Sequence, residues 1–478
     1  MLSALELVES CIAQAERIDP VVNALVTPAF AQARAAAKEA DAAPAAQAGR
    51  PLQGLPVAIK DIQHVAGLPT TWGSSELRSA LATEDSPIVA RIRRAGGVPI
   101  GKTNVPEKSI GANTVNPLFG ATGNPYAPSS TCGGSSGGSA VAVAACMAPL
   151  ATGSDHGGSL RIPACYSGVV GMRATPGMVP NEQRGLPQTN YAVQGPMART
   201  VQDAALLLSI IAERDAASRL DPMVFPYAAE TLADLEPPTL ANLRVGVTPD
   251  LGGVLVSKAV REEFARRCAA MSEVGVQCAP CAVDLRDAPR VDWHLRQELF
   301  AAAYAHEAEH WGPNVNPNVR ATYESAIATP MQDIAQAKQA QLVLTRHMAS
   351  MFDRFDVVIT PGVSVLPFPW QSLNPQSIDG KPVTNYMAWL ALSAALTVVG
   401  HPVVTLPCGL DSQGTPFGVQ VIGPMFADRR LLSIALALET VFADHPVLAA
   451  PVPDFAWLAR QDAGCKTLGR AVQARHLQ

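Results

Sequence analysis

The sequence predicts an α/β layered fold with a largely parallel sheet. Two observations carry that expectation. Short apolar runs alternate with longer segments of helical period, and the alternation continues through most of the 478 residues. No internal repeat and no long low-complexity linker interrupts it. Length alone suggests about three domains, but the unbroken alternation favours one large domain.

The elements follow in order. Ser3 and Glu6 have the spacing of a capping box, and Leu5, Val8 and Ile12 recur behind them at helical period. An alanine-rich second helix follows and ends near a loop at 43–54. Strands are expected at 57–59, 98–100, 150–154, 243–247, 357–360, 403–406 and 419–422. Helices are expected at 87–95, 138–147, 201–212, 258–274, 294–310, 331–352 and 429–442. The apolar stretch 391–408 is broken by Gly400, His401 and Pro402. A spanning helix needs about 20 uninterrupted apolar residues, so this stretch reads as buried core.

Bulk properties exclude several function classes. Lys and Arg total 36 against 41 Asp and Glu, a formal net charge of −5, so neither nucleic acid nor an anionic membrane is an expected partner. The 9 cysteines are too few for a disulfide scaffold and odd in number. Cys132, Cys146, Cys165 and Cys408 sit among apolar or small residues and read as buried free thiols. The opening MLSALELVES carries acids where a secretory signal has bases, so a cytoplasmic location is expected.

Four pattern matches lack the context their chemistry needs. Gly96 to Thr103 satisfies GxxxxGK[ST], but a helical pattern precedes it and the strand lies inside it, the reverse of a P-loop. His306 to His310 satisfies HExxH and falls on an expected helix, the arrangement of a zinc hydrolase. No third ligand follows at a familiar spacing, and Trp311, Gly312 and Pro313 end the helix at once. Cys278 and Cys281 form a lone CxxC. Ser135 and Ser136 both fit GxSxG, yet the turn-rich loop before them is not the strand that a nucleophile elbow requires.

The segment 120–171 has a different character, with two glycine and serine clusters flanking an alanine-rich helix. Glycine is needed where backbone turns sharply or presents N–H groups at close range. Upstream, Lys60 ends the apolar run that begins at Leu55. Burial at a strand end disfavours the ammonium and suits a lysine to act as a base. Ser159 follows His156, Gly157 and Gly158 just after an expected strand. Glycines before a serine leave amides free to converge beside its hydroxyl, the geometry of an oxyanion hole.

Three blocks, GLPVAIKD (54–61), TCGGSSGGSA (131–140) and GSDHGGSLRIPA (153–164), resemble the signature blocks of the amidase-signature family. GKTNVPE (101–107), GPMARTVQDAALLL (195–208) and FGVQVIGPMFAD (417–428) extend the resemblance over nearly the whole chain. It implies one domain over 1–478, with N-terminal helices (1–50) packed on a signature core at about 54–205. The implied fold is a single large mixed, mostly parallel twisted β-sheet covered by α-helices on both faces.

The implied activity is hydrolysis of a carboxamide C–N bond to carboxylate and amine or ammonia through a serine acyl-enzyme. Carried over position by position, Ser159 is the nucleophile, Ser135 the bridging serine and Lys60 the base. Backbone N–H groups of His156, Gly157, Gly158 and Ser159 hold the oxyanion, while Ser136, Asp155 and Arg161 support the site. A cis peptide between Gly134 and Ser135 is implied, with the Ser135 hydroxyl in reach of both Lys60 and Ser159. No metal or cofactor is expected. The expected partners are a small-molecule amide and at most a second copy of the chain.

Two positions depart from the family's pattern. His156 stands where an uncharged residue is more common, and its side chain reads as a satisfied buried imidazole. Lys108 stands where an aromatic is common. Within the family the rival reading is the glutamyl-tRNA amidotransferase A subunit, but 396–407 lacks an acid to anchor a glutamine ammonium. Outside it stand the zinc hydrolase and an inactive binding homologue, which intact Lys60, Ser135 and Ser159 disfavour. Substrate choice is expected from the stretches 180–193, 293–323 and 361–389.

Overall fold

The structure is a computed structural model that describes residues 2–43, 49–182, 184–312, 315–462 and 464. Parts of the expected 43–54 loop, of the stretches 180–193 and 293–323, Pro313 and most of the chain beyond 462 therefore lie outside the described residues. The first helix, Ala4–Val22, opens with the expected capping box between Ser3 and Glu6.

Eleven strands form one sheet. In chain order they are β1 (Leu25–Pro28), β2 (Pro56–Lys60), β3 (Val98–Thr103), β4 (Leu150–Asp155), β5 (Val170–Arg173) and β6 (Val193–Ala198). There follow β7 (Val245–Val247), β8 (Cys278–Pro280), β9 (Val357–Pro361), β10 (Val403–Leu410) and β11 (Pro416–Ile422). Across the sheet the order is β1-β3-β2-β4-β6-β5-β10-β11-β9-β7-β8.

The sheet is mixed, but parallel pairing is confined to β3-β2-β4 and β9-β7-β8, and every other neighbour pair is antiparallel. The expectation of a mostly parallel sheet is corrected on this point for a local reason. β5 and β6 were not anticipated, because β6 carries Gly195 and Pro196 in its middle and such residues argue against a central strand. The pair β10–β11 is a hairpin closed by Asp411, which accepts from the amides of Gln413 and Thr415.

Successive side chains of a strand point to opposite faces, and here both faces are buried. Val57 and Ile59 of β2 belong to one apolar cluster and Ala58 to another; Leu150 and Ala151 of β4 divide in the same way. Lys60 shares the parity of Ala58. On that face the helix Gly137–Ala144 packs against β2, β3, β4 and β6. The apolar stretch 391–408 is buried as the helix Ala391–Val399, ended by Gly400 at φ +75°, followed by β10. Among the described residues no helix is long and apolar enough to cross a membrane.

The helix expected at 294–310 is shifted to Ala288–Tyr304. Pro289 is tolerated in its first turn. After Tyr304 the chain folds back so that Trp311 packs on the Tyr304 ring, centroids 5.7 Å apart. His306 therefore falls on a turn and His310 on a short 3₁₀ segment, so the two imidazoles do not share a helical face.

Gly138 is fixed by close approach: a Cβ there would lie 2.3 Å from the Asn104 amide nitrogen and 2.7 Å from the Ala24 carbonyl oxygen. Backbone cannot yield as a flexible side chain does. Gly138→Ala is expected to destabilise the protein by about 1–3 kcal/mol despite alanine's higher helix propensity, read as a lower urea midpoint.

Candidate active site

Lys60 is fully buried at the end of β2. Its Nζ lies 2.8 Å from Ser135 Oγ, 2.9 Å from Ser136 Oγ and 2.8 Å from Ser154 Oγ. Burial pulls its pKa down from 10.5 to about 7, against the pull of Asp155. Lys102, the lysine of the P-loop-like pattern, is also buried at a strand end, but it is paired with Asp61 at 2.8 Å. Lys102 is structural.

Ser135 and Ser136 sit in the loop before the helix Gly137–Ala144, and the Gly134–Ser135 peptide is cis. Thr114 Oγ1 donates to the Gly133 carbonyl at 2.8 Å, holding the loop from below. Ser136 Oγ donates to the Ser154 carbonyl at 3.2 Å and its amide donates to the Ser159 carbonyl at 3.2 Å. Gly153 makes room for this: a Cβ there would lie 3.0 Å from Ser136 Oγ and 2.5 Å from Leu160 Cδ2.

Ser159 lies between β4 and the helix Arg161–Ser167. Its loop is wound around Asp155, whose Oδ1 accepts from the Gly158 amide at 2.8 Å and whose Oδ2 accepts from the Leu160 amide at 3.1 Å. Arg161 donates to both carboxylate oxygens, at 2.9 and 3.0 Å, and Arg173 Nη1 donates to Oδ1 at 3.2 Å. Burial opposes the Asp155 charge, yet the two guanidiniums hold its carboxyl well below the usual carboxylate range. Arg161 reaches on to the Ser393 carbonyl, Thr397 Oγ1 and Gln420 Oε1.

This network corrects one expectation. The Gly158 N–H is spent on Asp155 and cannot serve an oxyanion. Among the described residues the amides of His156, Gly157 and Ser159 carry no hydrogen bond, which leaves them as free donors beside the Ser159 hydroxyl. A second expectation is met on one side only. The Ser135 hydroxyl contacts Lys60, but its other partner is Ser109 Oγ at 2.8 Å, and among the described residues no bond joins it to Ser159. Ser109 lay outside the sequence reading. It follows Lys108, and both hold left-handed backbone, φ +55° and +59°.

Ser135 and Ser159 open on a cavity of about 280 Å³. Trp72, Ile110, Leu299, Phe300, Met387 and Leu390 give it an apolar wall. Gln63 and Gln194 line it too, but they are bonded to each other at 2.8 Å. Among the described residues no carboxylate lines the cavity, whereas Arg296 and Lys108 do.

His156 is also at the wall, and its Nε2 is buried with no partner among the described residues. The expectation of a satisfied imidazole is thereby overturned. The ring instead packs on Tyr191, centroids 4.7 Å apart, and edge-on to Phe300 at 6.4 Å. Burial and the charges of Arg296 and Arg173 hold its pKa well below the ordinary histidine value.

The HExxH residues do not converge. His310 Nδ1 faces the His306 carbonyl at 3.1 Å, and Glu307 is paired with Lys108 at 2.7 Å. Among the described residues no group of three His, Cys, Asp or Glu is placed to hold a metal. Among the described residues Cys278 and Cys281 are not joined in a disulfide.

Comparison with known proteins adds an independent line. Residues 6–432 match the Amidase family model. The chain is 30% identical over 445 residues to an acylamidase of Rhodococcus erythropolis, covering 92% of each chain. It is 30% identical over 472 residues to the A subunit of the glutamyl-tRNA(Gln) amidotransferase of Symbiobacterium thermophilum, covering 93% of this chain and 94% of that one. Among solved structures, a bacterial aryl acylamidase of the amidase-signature enzymes superposes with a TM-score of 0.83 at 25% identity, covering 96% of each chain.

The Asp155 network makes a stability claim that can be measured. Asp155→Ala leaves two buried guanidiniums without their shared carboxylate. It is expected to cost about 3–5 kcal/mol of folding stability, read by urea denaturation alongside the wild type.

Proposed function

The chain belongs to the amidase family and is an amidohydrolase, and we propose that it works through Lys60, Ser135 and Ser159 on an amide with an apolar body. The observation that carries this is a buried lysine surrounded by serine hydroxyls and brought to about 7 by desolvation. A neutral amine donates two protons and accepts one. The Ser136 hydroxyl already donates to the Ser154 carbonyl, so it can only accept from Lys60. Ser135 is then free to donate to the lysine lone pair, as a base requires.

The reaction follows from those positions. Neutral Lys60 takes the proton of Ser135 while Ser135 takes that of Ser159, whose Oγ attacks the amide carbon. For this step Ser135 exchanges its Ser109 partner for Ser159. The carbonyl oxygen becomes an oxyanion held by the Gly157 and Ser159 amides, where each donor is worth roughly 3–4 kcal/mol in comparable sites. The proton returns through Ser135 to the nitrogen, the C–N bond breaks, and the amine leaves an acyl ester on Ser159. Water, deprotonated along the same route, attacks the ester and releases the carboxylate.

Acylamidase and aryl acylamidase relatives and the apolar wall support an acyl or aryl amide as substrate. The amidotransferase relatives raise a glutaminase reading, but a free glutamine carries an ammonium. Among the described residues no carboxylate lines the cavity to receive that charge, since Asp292 and Glu307, paired with Arg296 and Lys108, stand outside its wall.

Two measurements test the assignment. An organophosphonate is expected to add once, on Ser159, and Ser159→Ala to lower kcat by roughly 10³-fold or more with the fold intact. Label on Ser135 or Ser136 overturns the nucleophile. The second is a pH profile. Lys60 acts as the neutral amine, so kcat/KM rises as pH passes through about 7 and levels above it. The sign for stability is the same: between about 7 and 10.5 the unfolded chain holds a proton that folded Lys60 has lost, so this group's contribution to stability rises with pH. A Lys60→Ala variant that keeps the rate and the limb removes Lys60 from the mechanism.

A further inference from the structure

Arg296 reaches the cavity from the helix Ala288–Tyr304, well away from the signature blocks. It is 3% exposed. Its carboxylate partner Asp292 stands one turn earlier, is not at the cavity wall, and holds it only at 3.3 and 3.4 Å. Charge-assisted pairs of good geometry close to about 2.7–2.9 Å. Asp292 spends its short bond elsewhere, accepting from the Tyr191 hydroxyl at 2.7 Å.

The guanidinium lies over the Tyr191 ring, 5.6 Å from its centroid, and the other neighbour of that ring is His156. Nη2 stands 2.8 Å from where a Cβ on Gly157 would be, so the cation abuts the backbone whose amide is free for the oxyanion. The His156 imidazole lines the same cavity with Nε2 unpaired among the described residues. Tyr386, also at the wall, is a further hydrogen-bond partner of the guanidinium. A guanidinium paired to its carboxylate only at long range and an orphan ring nitrogen thus meet at one end of a largely apolar wall. A buried polar atom left unpaired costs about 1–3 kcal/mol, a cost that a bound acceptor relieves when the neutral imidazole carries its proton on Nε2.

We propose that Arg296 and His156 form a substrate subsite for an oxygen acceptor, a carboxylate or a second carbonyl, set a few bonds from the scissile amide. The proposal rests on the amidase reading and narrows its substrate class. Arg supplies only donors, so the complementary group is an acceptor. The Asp292 charge behind it makes the pair neutral overall, which fits a carbonyl as well as a carboxylate. Candidate substrates are monoamides of dicarboxylic acids, amides of keto acids, and N-acyl derivatives of amino acids, which place the oxygen on the acyl or the amine side.

The test compares kcat/KM within isosteric sets. On the acyl side these are succinanilic acid, 4-oxopentananilide and 4-methylpentananilide; on the amine side, N-butyryl-3-aminobenzoate and N-butyryl-3-isopropylaniline. At least one oxygen-bearing amide is expected to exceed its hydrocarbon isostere by roughly 10-fold or more, and the set in which it does so names the side. In Arg296→Met that ratio collapses towards one, and Arg296→Lys restores part of a carboxylate preference. Should Arg296→Met fail to fold, the paired variant Arg296→Met/Asp292→Asn removes both charges together and is read in the same way.

Ratios near one in the wild type, with the hydrocarbon anilides hydrolysed, overturn the subsite and leave the amidase reading standing. So does a preference that survives in Arg296→Met. Absence of hydrolysis of every amide together with no phosphonate on Ser159 is a different result, which fails the amidase reading and this subsite with it.

Discussion

The site depends on one buried carboxylate. Asp155 takes hydrogen bonds from two loop amides and two guanidiniums, and each bond removes a freedom that the nucleophile loop would otherwise have. Two guanidiniums on one carboxylate explain why it stays charged without solvent. They also decide which amides are left over. Gly158 and Leu160 are consumed by the aspartate, so neither amide is a free donor beside Ser159. In the proposed mechanism the oxyanion donors are drawn from what remains after the loop's structural bonds have been made.

A second constraint separates two lysines that the sequence makes look alike. Lys60 and Lys102 are both buried near strand ends. Lys102 has Asp61 against it and two further polar contacts, the Pro69 carbonyl and Thr70 Oγ1, which suit an ammonium. Lys60 has hydroxyls only, which satisfy hydrogen bonding without supplying a counter-charge. Burial then weighs on the protonated form with little to offset it. The difference between the two lysines lies in what stands opposite each.

Much of this was legible in the sequence. The strand carrying Lys60 is a short apolar run that ends in the lysine, and the glycine clusters announce close backbone approach. What was not legible depends on segments far apart meeting. β6 hides behind Gly195 and Pro196, and the helix Arg161–Ser167 behind Pro163. Nothing in the neighbourhood of Ser109 says that its hydroxyl will bond Ser135, and nothing near Arg296 says that it will abut Gly157. The end of the helix at Tyr304 is likewise set by aromatic packing on Trp311, which no local periodicity encodes. The alternating pattern also overstated parallel pairing, because it cannot tell a crossover from strands that return beside one another.

The anchoring of Arg161 has a consequence for how the protein comes into being. Its partners Ser393, Thr397 and Gln420 lie 232, 236 and 259 residues downstream, and β5 finds its neighbour β10 across a similar distance. A ribosome adds about 5–20 residues per second, so the Ser159 loop waits on the order of tens of seconds for the segment that clamps it. During that interval β5 presents an open edge, and such edges invite pairing with other chains. Contacts this remote in sequence also close slowly once the whole chain is available. The clamp on the Ser159 loop is therefore complete only after Gln420 has emerged.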